Sequence, residues 1–69
     1  MVEVFKTDVA HPTQAAVMLE LLSWHYPGCR ISFDLDDCDR ILRIEGDAVK
    51  PERVAALLNS NGHHCQVLF

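Results

Sequence analysis

The stretch Cys29-Arg30-Ile31-Ser32-Phe33-Asp34-Leu35-Asp36-Asp37-Cys38-Asp39-Arg40-Ile41-Leu42-Arg43-Ile44-Glu45 decides the fold. From Cys29 to Asp36 the residues alternate: Cys29, Ile31, Phe33 and Leu35 on one side, Arg30, Ser32, Asp34 and Asp36 on the other. Successive side chains of a strand point to opposite faces, so this period of two marks a strand with one buried face. Asp36-Asp37-Cys38-Asp39 reads as a polar turn, because aspartate side chains hydrogen-bond the backbone close by. Arg40 to Glu45 returns as the partner strand, with Leu42 and Ile44 as its core residues. A hairpin with one apolar face needs a cover, and the chain on either side supplies it.

Upstream, Pro12 suits the first position of a helix, where its missing N–H costs nothing. The helix runs to about His25 and stops at Pro27-Gly28. Ala15, Met18, Leu19, Leu22 and Tyr26 share one side of it, with Thr13 and Glu20 opposite. Val17, Leu21 and Trp24 recur at i, i+4, i+7 and make a second apolar stripe, rotated from the first. Before the helix, residues 2–7 form a strand with Val2 and Val4 on one face and Glu3, Phe5 and Thr7 on the other. Alternation leaves the inner face of this strand open, because Phe5 favours burial as well as the two valines.

Downstream, Gly46-Asp47 breaks the hairpin strand and Pro51 opens a second helix. Val54, Leu57 and Leu58 give that helix its buried face, and Asn61-Gly62 supplies a left-handed stop. Cys65, Val67 and Phe69 alternate inward on a last strand. The order strand, helix, strand, strand, helix, strand, joined by right-handed crossovers, gives an antiparallel sheet of spatial order 4-1-3-2. The expected architecture is a ferredoxin-like α+β sandwich, one domain over residues 1–69, with both helices on one sheet face.

Sixty-nine residues hold one core and no second one. With 49% hydrophobic residues the chain has enough apolar side chains to fill it, which argues against disorder. A net charge of −4 with six scattered Lys and Arg disfavours nucleic acid, since phosphate binding needs clustered cations. The first residues read as a strand rather than a signal peptide, and the apolar run Ala15–Leu22 is too short to cross a bilayer. Cys29, Cys38 and Cys65 form no CxxC, and any disulfide would leave one unpaired. Reduced thiols and a cytoplasmic location follow as the expectation.

Length and element order resemble the heavy-metal-associated domains of copper chaperones and metal-pumping ATPases. Those domains carry Met-x-Cys-x-x-Cys between the first strand and first helix. Here that place reads Val9-Ala10-His11-Pro12-Thr13-Gln14, with His11 and Gln14 where the two cysteines belong. The resemblance implies the fold. Copper transfer is not carried over, because paired soft thiolates are what select Cu(I).

The topology gathers three loops at one end: residues 8–11, the turn 36–39, and residues 59–64. They bring Asp8, His11, Asp36, Asp37, Cys38, Asp39, His63 and His64 into one region, with Cys65 just inside. His11 with His63 or His64 is a candidate site for Zn²⁺ or a similar transition metal. The commoner role of His and Asp in loops is a solvated surface, and no two of these residues show the tight local spacing of a zinc motif. The aspartates of 34–39 lack the spacing and distal Glu of a calcium loop, and a solubilising turn on an edge hairpin accounts for them. Cys29 and Cys65 sit at inward positions, and carboxylates around Cys38 oppose its thiolate.

Catalysis has no visible centre: no Gly-rich phosphate loop, nucleophile elbow or paired carboxylates occur. Acylphosphatases share the topology, but no Gly-rich first loop followed by Arg is present. RNA-binding relatives of the fold stack bases on aromatics of the outer sheet face, and Phe5 alone makes no such platform. The expected function is a small non-enzymatic binding module without a resident cofactor. Its partner surface would be Val17, Leu21 and Trp24, meeting another protein or a second copy, unless those side chains cover the core's edge. The alternative is metal binding through His11, His63 and His64.

Overall fold

The computed structural model describes residues 1–68, and its elements follow the expected order. These are β1 (Val2–Thr7), α1 (Pro12–His25), β2 (Arg30–Asp34), β3 (Ile41–Glu45), α2 (Pro51–Ser60) and β4 (Cys65–Val67). All strand pairs are antiparallel and the sheet order is β2-β3-β1-β4, the expected order seen from the other edge. This is the ferredoxin-like arrangement. Met18 and Leu22 of α1 and Val54 and Leu58 of α2 pack with Phe5, Leu42 and Ile44 into one buried core. Among the described residues, no helix is long and apolar enough to cross a membrane.

The inner face of β1, open in the sequence, is the Phe5 face. Phe5 pairs with Leu42 of β3, and both are fully buried on the helix side. Val2 is 45% exposed on the opposite surface, and Val4 is buried there beside Leu68, which donates its N–H to the Val4 carbonyl. The larger ring takes the inner position because filling it removes more apolar area from water. Val67 shares the inward face with its cross-strand partner Phe5, as expected, but on an edge strand it stays 39% exposed. Phe69, expected inward on the same strand, lies outside the described residues.

Local chemistry sets the boundaries. β3 starts at Ile41 rather than Arg40, because Arg40 adopts a left-handed φ of 46° to close the hairpin. Its N–H donates to the Asp37 carbonyl, and its guanidinium donates to the Leu35 carbonyl. Within the turn, Asp34 and Asp37 accept from the N–H groups of Asp36 and Asp39, at 3.2 and 2.8 Å. The aspartates therefore shape the turn. α2 ends at a glycine with φ +84°: Gly62 donates to Asn59 and His63 to Leu58, the paired bonds of a Schellman stop.

Candidate functional site

The three loops do meet at one end. Thr7 donates its N–H to Asp39 and its Oγ1 to the Arg40 carbonyl at 2.6 Å, tying β1 to the acidic hairpin. The same hydroxyl accepts from Val9 N–H, so the buried Thr7 fixes the start of the first loop. Asp8 joins that loop to the chain 56 residues later. Its Oδ1 accepts from His64 N–H at 2.9 Å and lies 3.5 Å from His63 Nδ1. Lys6 Nζ stands 3.4 Å from Asp39 Oδ1 across the hairpin.

His11 is the N-cap of α1. Three residues on, Gln14 turns Oε1 back to accept from the N–H groups of Ala10 and His11, each at 3.3 Å. Gln14, which stands where the resemblance would place a metal-binding cysteine, thus completes the helix start. His11 and His64 are exposed and His63 is half-buried. Among the described residues, the ligand atoms that lie within 4.8 Å of one another in a group of three are those of Asp37, Cys38 and Asp39. The three histidines make no such group.

The cysteines differ sharply. Cys38 is exposed, Cys29 half-buried and Cys65 buried, and all are free thiols. Burial, and then the Asp8 carboxylate, push the Cys65 thiol up to about 11. Cys65 is therefore a protonated core side chain at neutral pH and a poor thiolate ligand.

The second candidate surface lies on α1. Its three expected residues divide: Leu21 packs against the core, whereas Val17 and Trp24 are 63% and 82% exposed. At the C-terminal end of α1 a groove of about 510 Å³ opens toward α2, lined by His25, Tyr26, Arg53, Ala56, Leu57 and Ser60. The sequence did not point to it. Arg53, Ala56, Leu57 and Ser60 follow helical spacing on α2, but nothing in one chain's pattern shows which residues of α1 stand across from them. On the outer sheet face the register sets Ser32, Arg43, Val4 and Leu68 in one row and Arg30, Glu45 and Val2 in another. That surface is mixed in charge and carries no aromatic platform among the described residues.

The chain matches no family model, no curated protein and no solved structure.

Proposed function

We propose that this chain is a small non-enzymatic interaction module of heavy-metal-associated shape, working in a reducing cytosol and docking protein on the outer side of α1. The observation that carries the reading is Trp24, 82% exposed on a helix whose opposite side already fills the core through Ala15, Met18 and Leu22. Tryptophan dominates binding hot spots because it removes a large apolar area from water while keeping one N–H for a partner. Val17, two helical turns earlier on the same side, extends the patch. Three free thiols suit the reducing compartment.

The test separates docking from core cover. Substitution of exposed residues outside special contacts changes stability by about 0.5 kcal/mol or less. Trp24→Ala and Val17→Ser are therefore expected to leave the melting temperature within about 4 °C of the parent. Acrylamide is expected to quench Trp24 freely in dilute protein. A larger loss of stability, or a shielded indole in the monomer, returns the stripe to the core and ends the proposal.

A second reading, metal binding at the loop end, is favoured by Asp8, which holds the His64 backbone and stands beside the His63 ring. A metal that binds only the folded state raises its apparent stability. Metal-stripped protein would be melted against Zn²⁺, Cu⁺, Ni²⁺ and Co²⁺ in turn. The expected outcome is a rise of several degrees for one ion, reversed by chelator and absent in the His11→Ala, His63→Ala double variant. No rise for any ion ends this reading.

A further inference from the structure

We infer that the groove between α1 and α2 binds a small organic monocarboxylate with an apolar body, held through Arg53. The site goes beyond the docking reading and does not depend on Trp24. Four of its residues, Arg53, Ala56, Leu57 and Ser60, recur at i, i+3, i+4, i+7 and so form a single strip of α2, about 10 Å long. His25 and Tyr26, at the C-terminal end of α1, complete the lining. Ala56, short and exposed, lies midway along the strip and leaves the hollow open to solvent.

The charge of the lining selects an anion. The chain carries ten Asp and Glu against six Lys and Arg, yet the groove is lined by Arg53 and by no carboxylate. Arg53 has no ion-pair partner among the described residues. Its backbone N–H donates to the Lys50 carbonyl at 3.0 Å, which fixes the residue in the first turn of α2. The guanidinium is left to offer its planar fork, and a carboxylate accepts two parallel N–H bonds from such a fork.

The walls select the rest of the ligand. Tyr26 and Leu57 are half-buried and pack against the core, so the apolar surface they present is held in place. Carbon laid on that surface leaves water, and the gain grows with the area covered. The volume, about 510 Å³, falls within the range of small-molecule sites, roughly 300–1,000 Å³. One arginine matches one negative charge. In a chain of net charge −4, every further charge on the ligand meets repulsion with no second Lys or Arg in the groove to offset it. The lining therefore favours a monocarboxylate over a dicarboxylate or a polyphosphate.

Titration of the isotope-labelled full chain with hydrocinnamate at neutral pH, followed by amide chemical shifts, tests this directly. Wild type is expected to show saturable shifts centred on His25, Tyr26, Arg53 and Leu57, with a dissociation constant of about 1 mM or below. Arg53→Gln should weaken binding at least about tenfold while the fold persists by circular dichroism. Arg43→Gln removes the same charge from the outer sheet face and should bind as wild type does. Ala56→Leu, which fills the hollow at an exposed position, should also weaken binding. Hydrocinnamyl alcohol has the body without the charge and acetate the charge without the body; each should bind at least about tenfold more weakly. Shifts that do not saturate by about 10 mM, or that centre elsewhere, overturn the inference. So do equal losses in Arg53→Gln and Arg43→Gln, undiminished binding in Ala56→Leu, or an alcohol that binds as tightly as the acid. None of these results bears on docking at Trp24, which stands or falls on its own stability and quenching test.

Discussion

Thr7 and Asp8 adjoin in the chain and secure the same loops from inside and outside. The Thr7 hydroxyl, buried, serves Val9 and Arg40 at once, while the Asp8 carboxylate clasps His64 from the surface. Cys65 lies against this clasp and pairs with Thr7 across the sheet. Its thiol, ordinarily near 9.0, is raised to about 11 by burial and by Asp8. The fold thus favours the protonated form: that contribution is complete below pH 9 and is lost as pH rises through about 11. The expected outcome is an alkaline fall in stability over that window that is shallower in Cys65→Ala, measured by urea melts across pH. Thiol labelling at pH 8 is expected to reach Cys38 first and Cys65 last. Early labelling of Cys65 in folded protein would contradict its burial. The inward position of Cys65 could be read from strand alternation, but the neighbouring carboxylate could not, because Asp8 is remote in sequence.

At the scale of elements, the Cys29 side chain, just before β2, fills the space beside Gly46 where a side chain after β3 would go. A methyl group on Gly46 would run into the Cys29 side chain, with Cβ of Cys29 only 3.2 Å from it. Gly46→Ala is therefore expected to cost about 1–3 kcal/mol by overpacking, read from urea denaturation. Cys29→Ala should return part of that loss in the double variant, because it removes the sulfur in the way. Equal losses in both backgrounds would place the strain elsewhere. Most elements were legible: the alternation of 29–36 marked β2, and Pro12, Pro51 and Asn61-Gly62 marked the helix limits. β1 was harder. Val2, Val4 and Phe5 are all apolar, so period two names two faces without saying which is inside. Only the Phe5–Leu42 pairing settles it. In the same way, spacing showed that Val17, Leu21 and Trp24 share a stripe, but the tilt of α1 on the sheet decides that Leu21 packs inward and the other two remain outside.

Over the whole molecule, charge and shape are unevenly shared. The acidic turn holds like charges close together, and screening relieves such repulsion between exposed groups. Raising NaCl from about 0.01 to 0.5 M is expected to increase the melting temperature by a few degrees, with less effect in Asp36→Asn, whose charge is gone. A melt insensitive to salt would mean that Lys6 and Arg40 already balance the turn. The gathering of the loops was legible from topology alone, since element order dictates which connections share an end. Whether side chains within that end touch was not, because rotamers and loop paths decide it. The pairing of β1 with β4 has one more consequence. Leu68 bonds to Val4, so both ends of the described chain emerge on the side of the sheet away from the acidic turn. A domain whose termini sit together is suited to circular permutation: a short peptide could join them, and a new opening at Asp36–Asp37 would keep every helix and strand intact.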